Sequence, residues 1–419
     1  MSRYKLKAKS LEKALELSLN SFSSKASKIL IPTVEALGYI LAEDVVADRD
    51  LPPYNIAFYD GYAVRSKDTS GASPSKPVKL KLLGFIFKEG EQEQFKIEPG
   101  TTVYVSANSP LPKGADSIVR LEYTEQQDNV VLVKGEVEPN QDIVLKGEDI
   151  KTGDIILNKG KVLRPQDIAL LLEIEKYRIF VYRKPKIGIV AVGSELLERV
   201  DRGRIYPDNY SIFIQKLLNI IGLETHHLGI IPDDPKRIKD IILENIDKLD
   251  VLLLVGGASI GLNDITGSSL EKLGEVIFHG TNLSPGKVSG LVMIKDKPVF
   301  LVPGHVGSAI SCIYNFVIPL ISKIFFDSNL RLPSVYAELT HDIDVKAGSY
   351  TFRTVSLIWK NNKLYAKPHL KRLGGSTLLT IFTEAQGYIL VPPGERPKAG
   401  DIIKVTLFSD MEASTIQGK

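Results

Sequence analysis

Between about residues 184 and 328, strand-like and helix-like stretches alternate, and this alternation limits the possible fold more than any other feature of the sequence. The strand patterns "KIGIVAV", "ETHHLGII" and "DVLLLV" are separated by the helix patterns "DNYSIFIQKLLNII", which ends at Gly222, and "DPKRIKDIILENI". Such alternation predicts a parallel sheet with helices on both faces, a doubly wound α/β fold. Ligands of these sheets bind beyond the carboxyl ends of the strands, so the pattern also predicts where a site would lie.

The segments on the amino-terminal side have two other patterns. Residues 10 to 42 look helical, with Ser10 as N-cap and an apolar stripe at Leu11, Leu15 and Leu19. From about 46 to 146, short alternating runs such as "VKLKLLGFIF", "TTVYVSA" and "NVVLVKGEV" predict β-structure. The stretch "DIALLLEIE" then predicts a return to helix, so the β segment is interpreted as an insertion in a helical region.

The last segment, about 330 to 410, is again β-rich. Runs such as "VYAELTHDIDV", "YTFRTVSLIW", "GYILVPP" and "DIIKVTLF" are separated by turn residues. Strands at this spacing predict a small barrel or sandwich. A chain of 419 residues with this many patterns is expected to form two to four domains.

Composition excludes several classes of protein. The net charge of +3 gives no basic field of the kind that marks a nucleic-acid-binding protein. A single cysteine, Cys312, excludes a disulfide framework and a cysteine-rich metal site. The longest apolar run, "FVIPLISKIFF", is short for a membrane span and contains Pro319 and Lys323, and the amino terminus does not resemble a signal peptide. The sequence therefore predicts a soluble, cytoplasmic protein.

Three loops that follow predicted strands could bind an anion. They are Gly193-Ser194-Glu195, the stretch from Gly256 to Asp264, and Pro303-Gly304-His305. Backbone N–H groups at glycine-rich turns favour a phosphate or another oxyanion. The alternative is that all three are tight turns of an ordinary α/β domain.

Five acids in turn-like contexts are candidate site residues: Asp60, Asp149, Glu195, Asp233 and Asp264. Each alone is more typical of a turn or cap. Beside an anion-binding loop, however, carboxylates would hold Mg²⁺, which takes oxygen ligands and bridges to substrate phosphates. The histidines have no metal spacing, and His226-His227 predicts one buried and one exposed side chain.

A set of collinear motifs resembles the molybdopterin molybdenumtransferases, the MoeA and gephyrin E-domain family. The matching stretches are "PPYNIAFYDGYAVR", "SANSPLPKGADSIV", "KGEDI", "VGSELL", "LGIIPDDP", "GGASIGLND", "SPGK", "VPGHVGSA" and "GGSTLLTIFTEAQGYILVPPGERPKAGDIIKV". They run over nearly the whole chain in the family's order, which makes the resemblance specific.

The resemblance implies a multidomain α/β plus β protein with a central doubly wound, MogA-like domain, helical and β insertion regions and a carboxyl-terminal β-barrel. The implied domains are a helical/β domain at 1–45 and 147–183, an inserted β domain at 46–146, an α/β molybdopterin-binding domain at 184–329, and the barrel at 330–419. It also implies a homodimer in which Asp60 approaches Asp264 of the other subunit.

The implied activity is Mg²⁺-dependent insertion of molybdate, or of tungstate, into adenylylated molybdopterin with release of AMP. Implied partners are the adenylyltransferase of the same pathway and the recipient molybdo- or tungstoenzymes. By position, the catalytic acids would be Asp60, Asp149, Glu195, Asp233 and Asp264, of which Asp149 and Asp264 would bind metal. The substrate-binding residues would be Gly256, Gly257, Ser259, Gly261, Lys287, Pro303, Gly304 and Ser308.

The chain departs from the family mostly on the ligand side. A usual "KPGKP" is replaced by Ser284 to Val288, which removes a cation, and a usual "PGNPVSA" is replaced by Pro303 to Ala309. An acid usual after the loop glycine is Leu262, and Pro207-Asp208-Asn209 replaces "DSN" or "DTN". Fewer cations beside a polyanion weaken its binding.

Two alternatives follow from these departures and from the central domain alone. One is a catalytically altered paralogue that binds molybdopterin or partner proteins as a carrier or scaffold; retention of the five acids favours the enzyme instead. The other is a nucleotide pyrophosphatase of the competence-damage family, which shares the α/β domain but lacks the "DGYAVR" insertion and the terminal β segment.

Overall fold

The computed structural model describes residues 8–23, 25–206, 208–257, 265–327, 332–369 and 379–408. The chain forms two compact units, and each is described by itself. The first unit holds Met1–Leu30, Gly38–Ala42 and Phe180–Lys419, and the second holds Ile31–Leu37 and Glu43–Ile179. The finer division into four domains remains a prediction.

The first unit contains a six-stranded sheet, called the central sheet. Its strands in spatial order are Glu224–Ile231, Lys186–Val192, Val251–Gly256, Lys297–Val302, Gly290–Ile294 and Glu275–His279. The first four are mutually parallel, and the fifth runs antiparallel to both of its neighbours. The three strands predicted from the alternating pattern have nearly the predicted bounds.

Side chains of the central sheet alternate between two apolar clusters, as expected for strands buried on both faces. In one strand, Leu252 and Leu254 belong to one cluster, while Leu253 and Val255 belong to the other. The helices that contribute to these clusters or connect the strands are Ser194–Asp201, Tyr210–Ile220, Pro235–Asn245, Ile265–Glu271 and Val306–Phe326. The doubly wound α/β fold is confirmed.

The helix Val306–Phe326 is long and apolar enough to cross a membrane, but 89% of its most apolar window is buried inside the protein. A helix that is apolar all round and buried is a core helix. It consists of α-helix Val306–Cys312, a π-helical turn Ile313–Val317 and α-helix Ile318–Phe326. The wider turn ends two residues before Pro319, whose ring would clash with a carbonyl of the preceding turn in a regular α-helix.

A closed five-stranded barrel forms the carboxyl-terminal part of the first unit. The strands in order around it are Tyr350–Lys360, Lys363–Pro368, Ser334–Leu339, Ile402–Leu407 and Gly387–Val391, and the last pairs with the first. A short helix, Thr380–Glu384, precedes the last strand of the list. The strand Leu283–Ser284 pairs with the start of Tyr350–Lys360, so the segment between the central-sheet strands Glu275–His279 and Gly290–Ile294 is hydrogen-bonded to the barrel.

The second unit is built on another six-stranded sheet. Its strands in order are Ser117–Arg120, Gly61–Val64, Thr101–Val105, Val78–Ile86, Val130–Val133 and Thr124–Gln127. Two short pairs join Ile143–Val144 to Ile56–Ala57 and Ile155–Leu157 to Val45–Val46. The helix Pro165–Glu173 follows, as "DIALLLEIE" predicts. Short 3-10 helices lie at Thr33–Glu35, Ser66–Thr69, Glu91–Gln94 and Leu121–Tyr123.

The prediction of helix from 10 to 42 is right only for its first third. The helix is Leu11–Asn20, and the Ser10 side chain accepts a hydrogen bond from the Lys13 N–H, as predicted for an N-cap. Its buried positions are Leu11, Ala14 and Ser18, whereas Leu19 is exposed. Later residues form the strand Lys28–Pro32, because "KILIP" is β-branched and ends in proline. The strand Arg178–Tyr182 leads from the helix at 165–173 to the central sheet.

Candidate functional site

One pocket of about 900 Å³ lies at the carboxyl edge of the central sheet. Its walls come from the loops after all four parallel strands, from the segment after Glu275–His279, and from two places outside the sheet. The lining residues used below are Lys9, Glu195, Arg199, Asp208, Asp233, Gly256, Gly257, Asn282, Lys287, Pro303, Gly304, His305, Ser308, Lys346 and Ser349. All belong to the first compact unit. The pocket is where the strand and helix pattern predicts a ligand site.

Two loops are joined by a reciprocal pair of hydrogen bonds. The Ser194 N–H donates to Asp233 Oδ2 at 2.9 Å, and the Asp233 N–H donates to Ser194 Oγ at 3.0 Å. Asp233 is fixed further because the next residue, Asp234, caps the helix Pro235–Asn245 by accepting from the Arg237 N–H at 2.8 Å. These bonds hold the Asp233 carboxylate in the pocket wall, at the carboxyl ends of the parallel strands.

The turn after Val251–Gly256 is possible only with glycine. Gly256 and Gly257 have φ of 95° and 64°, in the left-handed region that disfavours side chains. A Cβ on Gly257 would lie 2.3 Å from Thr266 Oγ1 and 3.3 Å from Asp233 Oδ1. The turn therefore brings bare backbone against the Asp233 carboxylate and leaves room for a ligand on the pocket side.

Asp208 lines the pocket but is already bonded on both oxygens. Its Oδ1 accepts from the Ser211 N–H at 3.1 Å, and its Oδ2 lies 3.1 Å from His227 Nε2. The same imidazole nitrogen lies 2.9 Å from Ser211 Oγ. His227 is half-buried while His226 is exposed, close to the predicted division of this pair. The cluster fixes the start of the helix Tyr210–Ile220 at the pocket wall.

Asn282 joins three parts of the chain beside the pocket. Its Oδ1 accepts from the Leu11 N–H at 2.8 Å, its backbone carbonyl accepts from the Tyr350 N–H at 2.9 Å, and its Nδ2 donates to the Gly348 carbonyl at 3.3 Å. The segment around it is closed by a bond from the Thr281 N–H to the Lys287 carbonyl at 2.8 Å. One amide side chain therefore ties the amino-terminal helix and the barrel to the segment that carries Lys287.

The charges of the pocket are divided between its ends. Glu195 follows the strand Lys186–Val192, Asp208 precedes the helix Tyr210–Ile220 and Asp233 follows the strand Glu224–Ile231, at one edge of the central sheet. Lys287 follows the strand at the other edge, and Lys9 and Lys346 come from outside the sheet. Such a pocket has carboxylates for a cation at one end, where Arg199 also lines it, and ammonium groups for an anion at the other.

Most predicted site residues of the first unit lie together. Glu195, Asp233, Gly256, Gly257, Lys287, Pro303, Gly304 and Ser308 all line the pocket. Ser259, Gly261 and Asp264 lie outside the described residues. Asp60 and Asp149 belong to the second unit and are exposed; Asp60 Oδ1 accepts from the Ala107 N–H at 3.0 Å. Their catalytic and metal-binding roles remain predictions.

No group of three or more His, Cys, Asp or Glu side chains in the described ranges is arranged to hold a metal ion. The Asp233 carboxylate nevertheless offers Oδ1, which accepts no hydrogen bond from a described residue, next to the Gly257 turn. Cys312 is buried, and burial raises the pKa of its thiol to about 12, so it is not a nucleophile at neutral pH.

Sequence reasoning missed the pocket residues that come from distant segments. Lys9 and Lys346 follow no predicted strand of the α/β segment, and nothing in their local sequence marks them. Asn282 lies in a stretch without a glycine-rich turn signal before it. Arg199 could have been found, because it lies one helical turn after Glu195 on the same face.

Two family profiles match this chain. "MoeA N-terminal region (domain I and II)" matches residues 9–174, and "Probable molybdopterin binding domain" matches residues 188–323. The chain is 32% identical over 414 residues to a Methanocaldococcus jannaschii protein assigned to molybdopterin biosynthesis, covering 96% of this chain and 97% of that one. It is 29% identical over 390 residues to the molybdopterin molybdenumtransferase of Bacillus subtilis, covering 91% and 90%.

Solved structures agree over the same length. The crystal structure of a molybdopterin biosynthesis MoeA protein from Pyrococcus horikoshii superposes with a TM-score of 0.80 at 32% identity. It covers 97% of this chain and 100% of that chain. The chain matches MoeA proteins over residues 9–174 and over the barrel as well as over the α/β domain. A nucleotide pyrophosphatase of the competence-damage type would match over the α/β domain alone.

Proposed function

This chain belongs to the MoeA family, and from that premise we propose that it inserts molybdate or tungstate into adenylylated molybdopterin with release of AMP. The observation that carries the proposal is the divided pocket at the carboxyl edge of the central sheet. Glycine turns, carboxylates and lysines meet there in one space of about 900 Å³, a size suited to a nucleotide-like ligand.

The residues of the pocket fit the separate parts of that substrate. Backbone N–H groups of Gly256 and Gly257 and the start of the helix at Val306 are placed to bind a phosphate. Lys287 neutralises charge on an oxyanion. Asp233 is held by Ser194 with one carboxylate oxygen left for a cation or a water molecule. Cleavage of the adenylate phosphoanhydride by water would release AMP from the pocket.

Mg²⁺ fits the acid end of the pocket, because Asp233 and Glu195 offer carboxylate oxygens beside a phosphate-binding turn. When bound, the ion neutralises phosphate charge as the phosphoanhydride breaks. Asp264 and Asp149 are the proposed direct ligands from the resemblance, and Asp264 lies outside the described residues. We propose a homodimer, a cytoplasmic location, and the adenylyltransferase and recipient enzymes as partners on the same basis.

The decisive experiment supplies purified protein with adenylylated molybdopterin, Mg²⁺ and either molybdate or tungstate, and measures AMP release. We expect release that requires Mg²⁺ and the oxyanion. Asp264→Asn is expected to melt within a few degrees of wild type, to lose most AMP release and to regain part of it at high Mg²⁺, since the amide keeps the shape without the charge. Light scattering should give twice the chain mass of 46.2 kDa.

The second candidate is a carrier or scaffold that binds molybdopterin without turnover. It is favoured by the single lysine of the segment Ser284 to Val288 and by His305 in the place of an amide. Tight binding of molybdopterin without AMP release under any metal or oxyanion condition would establish it in place of the enzyme.

A further inference from the structure

Three lysines from three separate parts of the chain line one pocket. Lys9 precedes the amino-terminal helix, Lys287 lies between the central-sheet strands Glu275–His279 and Gly290–Ile294, and Lys346 precedes the barrel strand Tyr350–Lys360. None of the three forms an ion pair with a carboxylate of the described residues. Lysines gathered without acidic partners in a concave surface raise the local concentration of anions.

Lys9 is held against the pocket by its backbone. Its N–H donates to the Gly280 carbonyl at 3.0 Å, and it forms a parallel β-bridge with Thr281. Two residues later, the Leu11 N–H donates to Asn282 Oδ1 at 2.8 Å. Main-chain contacts of Lys9 and Leu11 therefore fix the position of Lys9 beside the loop that carries Lys287.

Lys346 is held by a turn of the barrel. The Ser349 N–H donates to the Lys346 carbonyl at 3.1 Å, and the Lys346 N–H donates to Thr351 Oγ1 at 3.3 Å. Tyr350, which follows Ser349, donates its N–H to the Asn282 carbonyl at 2.9 Å. Lys346 and Lys9 are thus positioned through the same residue, Asn282.

A side-chain contact closes this arrangement. The Tyr350 hydroxyl donates to the Glu12 carboxylate, which raises the pKa of Tyr350 to about 12 and lowers the pKa of Glu12. Glu12 lies on the amino-terminal helix and Tyr350 on the first barrel strand. Glu12 is the acid nearest to Lys9 in the sequence, and this bond directs its carboxylate to the barrel.

We infer that Lys9 and Lys346 are oxyanion-binding residues of this pocket, acting with Lys287, and that Asn282 is the positioning residue for both. The ligand class is a multiply charged tetrahedral oxyanion, either a phosphate of the substrate or molybdate itself. Lys287 is the only cation between Thr281 and Val288, and a polyanion needs more than one. The inference rests on the proposed function only for the identity of the anion.

The test measures equilibrium binding of inorganic pyrophosphate and, separately, of molybdate by calorimetry. Neither arm depends on turnover, so AMP release can fail while this test succeeds. Lys346→Ala and Lys9→Ala are compared with Lys287→Ala and with Lys360→Ala, a charge-matched control on the barrel outside the pocket. We expect each pocket variant to weaken binding by about fivefold or more and the control by less than about twofold.

Two further measurements separate binding from folding. Lys346→Arg should restore most of the affinity, and Asn282→Ala should weaken both arms while melting within a few degrees of wild type. Limited acetylation, read by mass spectrometry, should show pyrophosphate protecting Lys9, Lys287 and Lys346 but not Lys360. The arm with the larger loss identifies which anion the two lysines contact.

The inference is overturned if Lys346→Ala and Lys9→Ala bind both anions as tightly as wild type while Lys287→Ala does not. It is also overturned if the folded wild-type protein binds neither anion at low salt, or if Lys360 is protected as strongly as Lys346. The inference is supported if the pocket variants bind more weakly than wild type at low salt and this difference in affinity disappears at high salt, because the contribution of the lysines is electrostatic.

Discussion

Ser194 and Asp233 each donate a backbone N–H to the other's side chain, at 2.9 Å and 3.0 Å. The two residues follow neighbouring strands of the central sheet and are 39 positions apart in the chain. Their exchange of hydrogen bonds makes one rigid edge from two loops. It also uses one oxygen of the Asp233 carboxylate and directs the other toward the glycine turn.

Ser194→Ala is expected to reduce AMP release by about three- to tenfold through loss of alignment of Asp233. The variant removes the bond from the Asp233 N–H but leaves the Ser194 N–H in place, so the stability cost should be about 1 kcal/mol. Steady-state kinetics and thermal melting would measure both. Ser194→Thr, which keeps the hydroxyl, is the control; equal losses in both variants would show that the hydroxyl has no positioning role.

Gly257→Ala is expected to abolish anion binding, whereas Gly304→Ala is expected to be mild. The first variant places a methyl 2.3 Å from Thr266 Oγ1 at a φ of 64°, so the turn must move. At Gly304 the nearest atom to a new Cβ is the Gly256 Cα at 3.3 Å, a gap that a small shift can open. Pyrophosphate binding and melting of both variants test this difference, and similar losses would contradict it.

His279 is expected to make the protein less stable as the pH falls below neutrality. Burial lowers the pKa of His279 from 6.5 to about 4. Between pH 6.5 and pH 4, His279 is protonated in the unfolded chain but neutral in the folded protein. Its contribution to the free energy of unfolding is therefore fully present above about pH 6.5 and is lost as the pH falls toward 4. The slope approaches about 1.4 kcal/mol per pH unit.

Thermal melting of wild type and His279→Gln from pH 7.5 to 4.5 would measure that slope. The variant is expected to begin less stable, because it disturbs a buried position, and to lose less with falling pH. The half-buried His369, whose pKa is also lowered by desolvation, contributes in the same direction in both proteins and cancels in the comparison. Parallel pH profiles for the two proteins would show that His279 does not control the slope.

Local pattern was enough to predict three of the six strands of the central sheet, Lys186–Val192, Glu224–Ile231 and Val251–Gly256. These strands are followed or ended by Gly193, Pro232 and Gly256, and the helix Pro235–Asn245 begins at the side-chain cap Asp234. The side chains at the strand ends therefore fall together for a topological reason. The same rules failed at "KILIP", where a strand follows a helix without a strong breaker between them.

The other half of the pocket could not be read from pattern because it depends on distant contacts. The hydrogen bond from Leu11 to Asn282 joins residues 271 positions apart, and no local signal predicts that they pair. Lys346 is an exposed turn residue of the barrel, a position where lysine is common for solubility alone. Its place at the pocket follows only from the pairing of Leu283–Ser284 with the barrel.

Thr266→Val is expected to leave the stability unchanged or to raise it by up to about 1 kcal/mol. The Thr266 side chain is fully buried, and its hydroxyl has no hydrogen-bond partner among the described residues. A buried hydroxyl without a partner carries an unrepaid desolvation cost, and valine has the same shape without it. Thr266→Ala removes the methyl as well and should destabilise by about 1 kcal/mol through lost packing.

Melting temperatures of the two variants, measured with and without pyrophosphate, distinguish the possibilities. If Thr266→Val loses stability only when pyrophosphate is present, the hydroxyl contacts the bound anion through the Gly257 turn, and if it loses stability in both conditions, the hydroxyl has a protein partner.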